Sequence, residues 1–157
     1  MEMKKVNLYS DGASKGNPGK GGYGTIIHYL NDAGDVEHVE EMSEGFKSTT
    51  NNRMEMMGVI IGLESLKIPC VVDVYTDSSY VADIFNKDWI KKWVENKWKT
   101  AYGNPVKNTD LIIRLLLAMK PHQVTYTWVK GHDGHPENER CDQLASNAAE
   151  NYKEPIE

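Results

Sequence analysis

Val6 and Leu8 alternate with Asn7, Tyr9 and Asp11, the period-two pattern of a strand with one buried face, and this places Asp11 at the strand's end. The glycine-dense stretch 12–22 predicts a turn, and 23–30 a second strand. Asn31-Asp-Ala-Gly34 signals a hairpin leading into a third, polar strand over 36–44. The period then lengthens. Met56, Ile60 and Leu63, with Met57 and Ile61, mark a helical face over 52–66 that Pro69 stops. Residues 71–76 form a near-continuous apolar run, as expected of a central strand buried on both faces in a parallel arrangement. Ser78 or Ser79 suits the cap of a short helix through 85. A Trp- and Lys-rich helical segment follows, then a loop through Gly103-Asn-Pro105, an apolar-faced helix over 110–119 and a strand over 123–129. The last helix opens at Pro136 and turns Cys141, Leu144, Ala145 and Ala148 inward. The order βββαβα, a helical insert, then αβα predicts an α/β fold with a mixed five-stranded sheet flanked by helices.

Composition narrows the class. A chain of 157 residues with 39% hydrophobic and 26% charged residues fits one domain, 1–157, ending in a short tail over 151–157. The first residues lack the apolar core of a signal peptide, and no run approaches the ~20 apolar residues of a membrane helix, so a cytoplasmic protein without membrane association is expected. Cys70 and Cys141 read as reduced and buried. The net charge of −5 argues against a polyanion partner, but the distribution of charge argues for one. Between residues 87 and 107 six lysines face only Asp88 and Glu95, which leaves this segment at +4 and the rest of the chain at −9. Positive charge concentrated in this way steers a polyanion locally.

Four acids are placed where a sheet-and-helix fold could bring them together. Asp11 and Asp77 end strands, Glu55 lies in the first turn of the first long helix, and Asp142 sits one position off the apolar stripe of the last. Crowded carboxylates repel unless cations neutralise them, and hard oxygen ligands select Mg²⁺, with Mn²⁺ as a substitute. Two such ions about 4 Å apart clamp a phosphodiester between attacking and leaving oxygens. Each acid also has a bland alternative: Asp11 as a turn residue, Glu55 in a capping box with Asn52, Asp77 as a helix cap, Asp142 as a solvated helix acid. Local context decides between them.

Tyr9-Ser-Asp-Gly-Ala-Ser-Lys-Gly-Asn-Pro-Gly19, Thr49-Thr-Asn-Asn-Arg-Met-Glu-Met-Met57, Tyr75-Thr-Asp-Ser78 and Trp128-Val-Lys-Gly-His-Asp-Gly-His-Pro-Glu-Asn-Glu-Arg-Cys-Asp142 resemble, in order, the four signature blocks of bacterial type 1 ribonuclease H. The resemblance spans roughly residues 4–150. It implies a ribonuclease H-like fold and a monomer with no obligate protein partner. It also implies an endonuclease that hydrolyses the RNA strand of RNA–DNA hybrids to 5′-phosphate and 3′-hydroxyl ends. Asp11, Glu55, Asp77 and Asp142 are then the metal ligands, and His132 aids proton transfer or product release, a role suited to a side chain titrating near neutrality. Gly12, Asn17, Thr50, Asn51, Asn52 and Ser79 match positions implied to contact the hybrid, and neutral amides suit 2′-hydroxyl recognition because they donate and accept. The segment 89–99 resembles the family's basic protrusion, with Trp89, Lys91, Lys92, Trp93, Lys97, Trp98 and Lys99 facing the DNA strand or packing beneath it.

Parts of these blocks admit rival chemistry. His132, His135 and Cys141 could in principle bind zinc, although no paired C-x-x-C is present. Gly19-Lys-Gly-Gly-Tyr-Gly24 matches G-x-G-x-x-G, but it opens a strand, so it reads as a tight turn that lets a nucleic-acid backbone approach. Ser79, Lys20 and Asp133 depart from the common pattern of the family. The alternative functions are an integrase-like DNA nuclease on the same fold and a hybrid-binding module without catalysis.

Overall fold

The computed structural model describes residues 3–131 and 135–152. Its elements run β1 (Lys4–Ser14), β2 (Gly19–Leu30), β3 (Val36–Thr49), α1 (Asn51–Glu64), β4 (Cys70–Thr76), α2 (Ser79–Asn86), α3 (Trp89–Glu95), α4 (Thr109–Met119), β5 (Gln123–Trp128) and α5 (Pro136–Glu150). The strands form one mixed sheet in the order β3-β2-β1-β4-β5. β1–β2 and β2–β3 are antiparallel, whereas β1–β4 and β4–β5 are parallel. The expected element order and mixed sheet are therefore present.

The glycine-dense stretch is strand rather than turn. β1 and β2 stay paired out to Ser14 and Gly21, so only residues 15–18 lie outside the ladder, closed by a bond from Lys15 N–H to the Lys20 carbonyl (2.8 Å). Asp11 accordingly lies within β1, paired across from Gly24. It does, however, fall one residue past Ser10, the last β1 residue in register with β4. β3 also runs five residues beyond its expected end, as a largely exposed edge strand rich in glutamate, which blunts pairing with other chains.

The main core lies on one sheet face. Val6, Leu8, Ile27, Val72 and Val74 pack there against Met56, Ile60 and Leu63 of α1, with Val81 and Ile84 of α2 and Ile112 and Leu115 of α4. α5 covers β1, β2 and β3 on the other face, leaving β4 and β5 largely open there. This corrects the expectation for β4. Cys70, Val72, Val74 and Thr76 are buried, while Val71, Asp73 and Tyr75 are half-buried, because only one face of the strand is fully covered.

Helix starts depend on side chains the sequence supplies. Thr50, not Asn52, caps α1, its Oγ1 accepting from Arg53 N–H (3.3 Å). Ser78 caps α2 by accepting from Val81 N–H (3.2 Å). Arg53 then forks onto both Asp110 carboxylate oxygens (2.8 and 3.0 Å) and reaches Asn108 (3.3 Å), tying the start of α1 to the root of the protrusion.

Candidate metal and nucleic-acid site

Backbone contacts bring the acids together. At Gly12 a Cβ would lie 2.5 Å from Glu55 N, so only glycine lets α1 approach β1 this closely and carry Glu55 to Asp11. Thr25 Oγ1 donates to the Gly58 carbonyl (2.6 Å) and pins the next turn of α1 to the sheet. Asp77 follows the end of β4 and is not the cap of α2, since Ser78 fills that role. On the other face α5 sits on glycines of the sheet. A Cβ at Gly24 would occupy the Cys141 carbonyl oxygen, and Gly22 and Gly45 meet Ala145 and Ala148 in the same way. At Gly22 and Gly24 the close approach is therefore made by the protein's own helix, and residues 21–24 are buried strand rather than the exposed turn the glycine pattern suggests.

Carboxylate oxygens of Asp11, Glu55 and Asp77 lie within 4.8 Å of one another. Asp11 is 7% and Glu55 4% exposed. Burial first, then the charge of Asp77, pushes the Asp11 carboxyl up to about 7. The Gly12 N–H donated to its Oδ1 (2.9 Å) offsets only part of this. Glu55 is pushed well above the usual carboxylate range, by burial first and then by Asp11 and Asp77. The bland alternatives fail for these three: Asp11 is in no turn, Glu55 closes no capping box and Asp77 caps no helix. Asp142 does not join the trio. It is half-buried and lines the same cleft with Asp11 and Asp77, together with Lys130, His135, Asn138 and Glu139. A larger concavity near the start of β1 is lined by residues such as Lys4, Leu30 and Ile68, and holds none of the candidate residues.

The donor set suits a hard divalent cation. It consists of carboxylate oxygens, and Glu55 Oε2 is buried with no hydrogen-bond partner among the described residues. Zinc does not fit. Cys141 is fully buried within α5 with its thiol pushed up by burial, while His135 is exposed at the start of that helix. Cys70 and Cys141 are both free and buried, as expected.

The candidate contact residues spread outward from the acids. Asn51, Asn52 and Ser79 are exposed in the first turns of α1 and α2. Asn17 is exposed too, but its Oδ1 already accepts from Asn51 N–H (3.1 Å), which leaves its amide protons as donors. Thr50 likewise spends an oxygen lone pair on its cap and keeps its hydroxyl proton. In the protrusion Trp89, Trp93 and Trp98 are half-buried against the core, with successive ring centroids 6.0 and 6.4 Å apart. Lys91, Lys92, Lys97 and Lys99 are exposed around them. His132 and Asp133 lie outside the described residues. Sequence reasoning overlooked Lys130, Asn138 and Trp128. All three fall inside the fourth motif block, where position alone marked them, yet none carries a charge pattern that singles it out.

Comparison with known proteins finds relatives of this chain in both sequence and fold. The RNase H family model matches residues 3–150. A ribonuclease H of Lachnoclostridium phytofermentans is 57% identical over 147 residues, covering 93% of this chain and 92% of its own. One from Desulforamulus reducens is 49% identical over 155 residues, covering 99% and 94%. Among solved structures, LC9-RNase H1, a type 1 RNase H with the type 2 active-site motif, superposes with a TM-score of 0.84 at 30% identity, covering 96% of this chain and 74% of that one. LC11-RNase H1, solved in complex with an RNA/DNA hybrid, shares the fold at a TM-score of 0.64 and 20% identity, covering 93% and 97%.

Proposed function

Because the chain belongs to the ribonuclease H family, we propose that it is an endonuclease cutting the RNA strand of RNA–DNA hybrids, leaving 5′-phosphate and 3′-hydroxyl ends. The observation that carries this reading is the convergence of Asp11, Glu55 and Asp77 within 4.8 Å, two of them buried. A divalent cation would favour the ionised forms of acids held above their usual range in this way. Asp11, Glu55, Asp77 and, from across the cleft, Asp142 would hold two Mg²⁺ ions, with Mn²⁺ as a substitute. When bound, such ions neutralise the phosphate, activate the attacking water and stabilise the leaving oxygen.

The remaining residues bind and orient the substrate. Asn17, Asn51, Asn52 and Ser79, with the backbone at Gly12, meet the hybrid where 2′-hydroxyls distinguish RNA from DNA. Thr50 offers its hydroxyl proton to the DNA strand. The protrusion grips that strand through Lys91, Lys92, Lys97 and Lys99, while Trp89, Trp93 and Trp98 form the packed base that holds the ammonium groups out. His132 takes part in proton transfer or product release. The whole of 1–157 acts as one domain and a monomer in the cytoplasm, and among the described residues no helix is long and apolar enough to cross a membrane.

Cleavage of an end-labelled hybrid, beside single-stranded RNA, duplex RNA and duplex DNA, with Mg²⁺ and with EDTA, tests the reading. Cutting confined to the hybrid's RNA strand and abolished by EDTA is expected. Cutting of duplex DNA points to an integrase-like nuclease, and hybrid binding without cutting to a binding module.

A further inference from the structure

Asp77 is the first residue past the paired register of β4, which ends at Thr76 opposite Trp128. Val129 N–H donates to the Thr76 carbonyl (2.8 Å), and the Trp128 indole Nε1–H donates to the main-chain carbonyl of Asp77 itself (3.1 Å). Trp128 is 52% exposed, so burial of its ring does not account for an indole at this strand end. Three residues on, the same segment closes against the carboxylate, since a Cβ at Gly131 would lie 3.0 Å from Asp77 Oδ2. The main chain and the side chain of one acid are thus both set by the stretch 128–131.

We propose that Trp128 and Gly131 are positioning residues that fix the Asp77 carboxylate for cation binding. The inference rests on the proposed role of Asp77 as a metal ligand. The indole bond stops the chain after Thr76 from rotating, and the absent Cβ at 131 leaves the carboxylate room to face Asp11 and Glu55. Trp128 acts through Asp77 and touches no reacting atom in this role.

Trp128→Phe keeps the ring and loses the donor, whereas Gly131→Ala crowds the carboxylate and leaves the indole in place. Each variant is to be compared with the wild type by calorimetric Mg²⁺ titration without substrate, by kcat and KM on a labelled hybrid across Mg²⁺ concentrations, and by thermal melting. Loss of one such hydrogen bond is expected to weaken Mg²⁺ binding by about 3- to 10-fold. The Mg²⁺ concentration for half-maximal kcat should rise in parallel, with hybrid KM and melting temperature nearly unchanged. Wild-type Mg²⁺ binding and cleavage that neither variant alters would overturn the inference while leaving the proposed function intact. A raised KM with unaltered Mg²⁺ binding would overturn it as well, by assigning Trp128 to substrate contact. A wild type that neither binds Mg²⁺ nor cuts the hybrid removes the proposed function, and this inference with it.

Discussion

At the scale of single residues the site is governed by the cost of burying charge. Asp11 and Glu55 are neutral more readily than surface acids because water is excluded and Asp77 stands beside them. The sign for stability follows from proton counting. Asp11 rises from its ordinary value of 3.8 to about 7 on folding, so between these values the folded state holds more protons than the unfolded one. Its contribution is complete below the unfolded value and is lost as pH rises through about 7. The metal-free protein should therefore melt at lower temperature at pH 8 than at pH 5.5 as far as this group is concerned. Asp11→Asn should flatten that dependence, and Mg²⁺ should restore more stability at pH 8 than at pH 5.5, all measurable by calorimetry. Asp11→Asn and Asp77→Asn should also lower hybrid cleavage by roughly 10³-fold or more while gel-shift binding of the hybrid is largely kept. Normal turnover by either variant with Mg²⁺ would remove these carboxylates from the mechanism.

At the scale of elements, glycine sets the distances between layers. α1 reaches β1 over Gly12, and α5 reaches β2 over Gly24, each carrying one acid of the site toward Asp11. Gly24→Ala drives a methyl group into the Cys141 carbonyl. It should cost about 1–3 kcal/mol in urea unfolding and reduce kcat through displacement of Asp142. Thr50 and Ser78 act more locally, capping the helices that follow Thr49 and Asp77. Sequence reasoning narrowed the α2 cap to Ser78 or Ser79, and Ser78 fills it, but it missed Thr50: Asn52 has the right side chain and the wrong place, because the backbone turns helical one residue before it.

At the scale of the whole molecule, charge is divided between a basic protrusion and an acidic body. Exposed ammonium groups surround a half-buried tryptophan base in the protrusion, while the buried carboxylates gather at the end of the sheet's central strands, so positive and negative charge are concentrated in different elements. Hybrid affinity should fall steeply with salt. Replacing Lys91, Lys92, Lys97 and Lys99 by Gln should reduce the slope of log K against log salt by about 0.7–0.9 for each phosphate left without its lysine, with kcat at saturating hybrid nearly unchanged. An unaltered slope in a filter-binding titration would place the DNA strand elsewhere.

The order and type of the elements, the mixed sheet and the identity of the candidate acids were all legible in the chain before folding. Apolar periodicity is a local property, and long motif blocks retain residue identity without any knowledge of distance. Which residues share a volume is a property of the folded chain alone. Folding joined Asp11, Glu55 and Asp77 and held Asp142 across the cleft, because α5 approaches from the opposite face of the sheet to α1. It also turned a glycine-rich stretch that reads as a loop into paired strand, because the missing side chains make room for a helix whose position no local pattern encodes.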